Sequence, residues 1–227
     1  INFSGTNRVY NRCLKAVDDY QQYSDNLIYM QPHELEGVTS LEQYHQLADA
    51  RMKQALDSVN ASGLDKEFLA EQRAHIDYTH RSIFLHVAMY LVKNENFTEN
   101  WRKELAEIIN QPVDSDYLRS YRGIGLFIND LIGAQFIKLE NGKPEEIKDY
   151  CAFRFDRYRK FFKGDNLQYA QALLIYEDEF QTRNTPSIPQ LYERYKAEFP
   201  NSPFLSVLEP GVNKNLRFQN SRIDDKD

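Results

Sequence analysis

Cysteine is nearly absent: Cys13 and Cys151 stand alone among 227 residues, and no Cys-x-x-Cys pair occurs. That excludes a paired-thiol redox centre within these residues and a multi-disulfide framework, while two lone cysteines say nothing about whether the compartment is oxidising. Glycine and proline are also scarce, at nine and eight, which disfavours a loop-rich β fold. Positive charge is not in excess. Lys and Arg number 28 against 34 Asp and Glu, a net charge of −6, so no overall field draws in a nucleic-acid backbone. The longest apolar run, "IFLHVAMYLV" over 83–92, is about half the length of a membrane-spanning helix and is interrupted by His86. It reads as a buried helix. The chain starts at Ile1 with no basic-then-apolar signal segment, which predicts a fragment or a processed product.

What is present is helical punctuation. Tyr10, Cys13, Leu14 and Val17 fall on one face of a first amphipathic helix. Pro32 and Gly37 break the pattern, and Thr39 with Glu42 has the form of a capping box for a helix over 40–59. Asp65 is placed to cap a long helix whose second half is apolar on nearly every side, as suits the middle of a bundle. Further helices are predicted over 101–110, 124–139, 144–162, 166–182, 188–199 and 204–220, with a new cap at Asp114 or Ser115. Only "INFSG" at the start has the texture of a strand end. The fold class is therefore all-α, an irregular multi-helix bundle of antiparallel helical hairpins. One domain is expected over 1–220, with 221–227 as the start of a polar linker toward a further C-terminal domain.

The residues that carry chemistry elsewhere find bland explanations here. Cys13 shares a face with Tyr10 and Val17, and Cys151 with Ile147 and Phe155, so both read as small core residues. A disulfide between them requires their two helices to touch. His75, His80 and His86 share one helix at steps of five and six, whereas helical zinc motifs use three or four. His75 and His86 share a face but stand about 16 Å apart along the axis. His45 and Asp49 have the right step, yet two ligands make no metal site. Gly123 and Gly125 in "YRGIGLFINDLIG" lack the strand and third glycine of a dinucleotide loop and the Lys-Ser or Lys-Thr of a P-loop. Along "FRFDRYRKFFK" and the Cys151 just before it, Cys151, Phe155, Tyr158 and Phe162 form one stripe, leaving Arg154, Arg157, Arg159, Lys160 and Lys163 on the solvated face. Glu177, Asp178 and Glu179 read as charged surface. No catalytic, cofactor-binding or metal-binding residue is assigned, and no cofactor is expected.

"YKAEFPNSPFLSVLEP" followed by "GVNKNLRFQN" resembles the end of the helical region preceding the thioredoxin-like domain in secreted thiol–disulfide oxidoreductases of the TlpA and ResA type found in Bacteroidetes. Phe199, Pro200, Asn201, Ser202 and Pro203 are its most characteristic part. "INFSGTNRVYNRCL" is similar to the start of that region, so the two ends of the chain match the two ends of the helical insert. The resemblance implies a noncatalytic helical domain of an exported, periplasmic or cell-envelope protein, with a thioredoxin-like domain in the same parent chain as its partner. None of that family's catalytic residues maps onto these positions.

Two rivals stand beside it. "ALLIYEDEFQTRNTPSIPQLYERYKAEFPNSPF" has the form of one helix–turn–helix unit of the tetratricopeptide sort, which favours a free-standing peptide- or protein-binding module. The other, an enzyme site gathered by the fold from His75, His86 and Cys151, ranks last because no pair has catalytic spacing.

Overall fold

The computed structural model describes residues 7–27, 38, 40–91 and 97–224. Every regular element among the described residues is helical. The α-helices are α1 (Arg8–Asp25), α2 (Leu41–Asn60), α3 (Lys66–His86), α4 (Glu99–Asn110), α5 (Ile124–Ala134), α6 (Tyr150–Arg157), α7 (Gly164–Phe180), α8 (Ile188–Glu198) and α9 (Leu205–Asp224). The all-α class and its antiparallel hairpins are what this chain builds. "INFSG" and the Pro32 and Gly37 breakers lie outside the described residues.

The chain divides into two compact units where one domain over 1–220 is expected from sequence: Ile1–Gln111 with Ser120–Gly142, and Pro112–Arg119 with Lys143–Asp227. Moreover, α9 continues to Asp224, so residues 221–224 of the expected linker are helical.

The first unit is centred on α3, which lies against α1, α2, α4 and α5. Asp65 caps α3 by accepting from the Phe68 amide at 2.9 Å, and from Tyr78 to Leu85 nearly every side chain is buried. Burying Ile83, Phe84 and Leu85 stabilises the unit by about 2 kcal/mol each. The capping box of α2 is formed by Ser40 and Gln43, one residue beyond the expected Thr39 and Glu42. Ser40 Oγ accepts from the Gln43 amide and the Gln43 side chain accepts from the Ser40 amide, both at 3.2 Å. Both α3 and α5 pass into a π-helical turn, Val87–Leu91 and Gln135–Leu139. The helix expected over 124–139 is thus continuous but changes its winding at Gln135.

In the second unit the helix expected over 144–162 is broken. A 3₁₀ turn at Pro144–Glu146 precedes α6, and another follows at Tyr158–Lys160. Asp149 starts α6 afresh by accepting from the Ala152 amide at 2.9 Å. At the "FPNSP" turn the hydroxyls of Tyr195 and Ser202 share a hydrogen bond, and Ser202 Oγ accepts from the Phe204 amide at 3.2 Å. Since α9 opens at Leu205, Pro203 stands before its first helical turn.

Helices α7 and α9 run in the same direction. The Tyr169 and Phe204 rings meet near the start of both, with centroids 5.8 Å apart, and Asp178 meets Asn215 further along. Helix α8 returns antiparallel between them and packs on both.

Candidate functional site

The cysteines are inert. Cys13 and Cys151 are both free and buried, each in its own unit. Burial pushes the Cys13 thiol up, against the opposing pull of a hydrogen bond with Ser62. Burial likewise raises Cys151, whose sulfur lies 3.9 Å from Thr185 Oγ1. A buried neutral thiol is a poor nucleophile.

The histidines separate. His75 Nε2 lies 3.0 Å from Ser120 Oγ, and the Glu71 carboxylate approaches that same nitrogen at 3.8 Å. A nucleophile–base relay needs its acid on the opposite ring nitrogen. His86 faces the buried Asp130 at 3.6 Å, and burial, outweighing His86, raises the Asp130 carboxyl. His45 and His80 join Asp49, Glu104 and Tyr20 in a polar network. Among the described residues no group of three or more His, Cys, Asp or Glu is placed to hold a metal ion. Cys151 belongs to the second unit and the two histidines to the first.

Gly123 reflects packing, because a Cβ there would fall 2.6 Å from Tyr121 Oη. In the basic and aromatic stretch, the Cys151, Phe155, Tyr158 and Phe162 stripe is buried as expected, but Arg154 is buried with it. Its guanidinium lies over the rings of Tyr150 and Tyr158 and 3.9 Å from Glu177. The step of three from Cys151 and four to Tyr158 places it on the apolar stripe, where a charge persists only with such partners. Arg157 lies over Phe153, and Arg159 pairs with Glu198. These arginines are engaged within the protein rather than arrayed along an open track.

Asp178 is also not on the surface. It is 2% exposed and accepts from the Thr185 amide at 3.2 Å, from the Thr185 hydroxyl and from Asn215 Nδ2 at 3.3 Å. Gln219 Nε2 adds a bond to the Asn184 carbonyl at 2.7 Å. Together these fasten α9 to α7 and to the turn between α7 and α8. Gly211 permits close approach, since a Cβ there would meet the Glu179 side chain.

Held this way, α7 and α9 leave an apolar groove of about 240 Å³ between them. Tyr169, Leu173 and Tyr176 form one wall, and Phe204, Val207 and Leu208 the other. Val207 is 55% exposed, and Phe180, stacked on Tyr176 one turn further along α7, is 75% exposed. The groove offers ring faces and two phenol hydroxyls, with no titratable acid–base pair among its lining residues. Its chemistry is recognition of apolar side chains. A larger depression between α1 and α2 is polar, and its Ser58 and Ser62 hydroxyls already donate to Gln54 and Val59 carbonyls.

The groove was hidden in the sequence because its walls come from separate helices with α8 between them in the chain. The one available signal was the stripe Tyr169, Leu173, Tyr176 and Phe180, which helical spacing places on a single face.

Among the described residues no helix is long and apolar enough to cross a membrane. Comparison with protein-family models, curated proteins and solved structures yields no match to this chain.

Proposed function

We propose that this chain is the noncatalytic helical domain of an exported thioredoxin-like thiol–disulfide oxidoreductase, where it positions the redox domain or binds that domain's protein partner. The reading rests on the resemblance of the "FPNSP" turn and the segments around it, together with one structural observation: the exposed aromatic groove between α7 and α9. The two bear on each other, because that turn leads into α9 and so sets one wall of the groove. Both cysteines are buried with raised thiol pKa values, which fits a domain that leaves thiol chemistry to another. A cell-envelope location follows from the same resemblance.

The parallel pair α7 and α9, with α8 returning between them, favours a second reading as a tetratricopeptide-like module that takes a peptide in the groove. The native reading frame beyond Asp227 discriminates. A Cys-x-x-Cys that follows a strand and opens a helix there supports the first reading. A stop codon soon after Asp227 removes it and leaves the peptide-binding module.

A further inference from the structure

Four helices of the first unit meet at a chain of polar side chains that the proposed function leaves unused. On α2, His45 presents both ring nitrogens to carboxylates: Nδ1 lies 3.2 Å from Asp49, and Nε2 lies 2.9 Å from Glu104 on α4. A neutral imidazole has one N–H and one lone pair. Facing a carboxylate at each nitrogen, the ring is complemented on both sides only as the imidazolium. On α3, His80 is built the opposite way. Its Nδ1 lies 2.9 Å from the Tyr20 hydroxyl on α1, and its Nε2 lies 3.5 Å from the same Asp49. The neutral ring fits here, with the phenol donating to Nδ1 and the Nε2–H turned toward Asp49.

We propose that His45, Asp49 and His80 form a proton-set clamp that joins α1, α2, α3 and α4 most tightly near neutral pH and loosens as pH moves to either side.

The surroundings favour this division of charge. The groups facing the pair are Tyr20 on α1, Tyr44 on α2, Asp77 on α3 and Glu104 on α4, with Asp49 shared between the rings and Tyr23 and Tyr121 beyond Tyr20. For His45, burial opposes the charge, but hydrogen bonds and attraction from Glu104 and Asp49 outweigh it and hold the ring above its ordinary value. For His80, burial dominates over Asp49 and Asp77, and the His45 charge adds to it, so the ring is held below its ordinary value. Burial pushes the Tyr20 phenol far up, so it remains a donor.

The signs follow from linkage. A raised histidine stabilises fully below its unfolded value of about 6.5 and loses that contribution as pH rises through its folded value. A depressed histidine contributes fully above about 6.5 and loses its contribution as pH falls through its folded value. Asp49 couples the two, because each ring directs an N–H toward it.

The test is a histidine NMR titration of the 227-residue chain, assigned with His45→Gln and His80→Gln and paired with melting temperature across roughly pH 5 to 8. His45 titrating above and His80 below the ordinary value supports the clamp. So does a melting maximum between them that loses its alkaline fall in His45→Gln and its acid fall in His80→Gln, with His75→Gln as control. Both rings titrating at the ordinary value, or variant melting profiles parallel to wild type, overturns it. If the variants fail to fold, the wild-type titration midpoints decide alone, since two ordinary midpoints contradict the clamp and two oppositely displaced midpoints support it.

Discussion

Asn215 on α9 donates a hydrogen bond to the buried Asp178 carboxylate on α7 at 3.3 Å, across 37 residues of sequence. The same carboxylate holds the Thr185 amide and hydroxyl. One side chain thus sets both the turn that reverses the chain after α7 and the helix that returns beside it.

Replacing Asp178 removes the acceptor of the Thr185 amide and hydroxyl, while Asn215 keeps its bond to the Thr185 carbonyl at 3.0 Å. Asp178→Ala is expected to destabilise the second unit by about 3 kcal/mol, because a buried donor left unpaired carries its full desolvation penalty, and Asn215→Ala by about 1 kcal/mol, because Asp178 keeps its Thr185 donors. Trp101 belongs to the first unit, so hydrogen exchange of α7 and α9 amides in urea is the suitable readout. An Asp178→Ala chain as stable as wild type contradicts the assignment.

The turn that follows contains a second, opposite prediction. Thr182 adopts φ of 52°, and its amide donates to the Glu179 carbonyl at 2.8 Å while Arg183 donates to the Asp178 carbonyl at 3.0 Å. This is a Schellman cap, in which glycine is the unstrained residue. Thr182→Gly should stabilise the second unit by about 1 kcal/mol, since a β-branched side chain is strained in the left-handed region. Hydrogen exchange in the same urea series checks the sign.

Buried thiols set a third expectation. Cys13 and Cys151 should react with a disulfide reagent roughly tenfold slower or more in the folded chain than in guanidinium, where both become free. Rapid labelling of either cysteine under native conditions rules out the inert-thiol reading.

Legibility of the sequence followed locality. Helix class, most spans and the buried middle of α3 rest on periodicity and caps within a few residues, and these signals were readable. Most of what is not legible depends on distant partners. Asp178 sits between Glu177 and Glu179 in a run that reads as surface, and the groups that bury it come from Thr185 and Asn215. Arg154 is a different case: its charge points to solvent, although its spacing from Cys151 and Tyr158 places it on the buried stripe. The π-helical turns after α3 and α5 and the division into two units leave no periodic trace. Half of the groove was visible as an aromatic stripe on α7, and the other half came only with α9 lying parallel to it.

The proposed docking of a thioredoxin-like redox domain in the α7–α9 groove has a decisive binding test. It is tested most directly by titrating the chain, observed through its amide NMR signals, with a purified thioredoxin-like domain of the TlpA/ResA type, beside the Val207→Asp variant. Saturable shifts concentrated on α7 and α9 are expected, with affinity reduced roughly tenfold or more when a charge enters the groove. No saturable shift, or binding that Val207→Asp leaves unchanged, contradicts it.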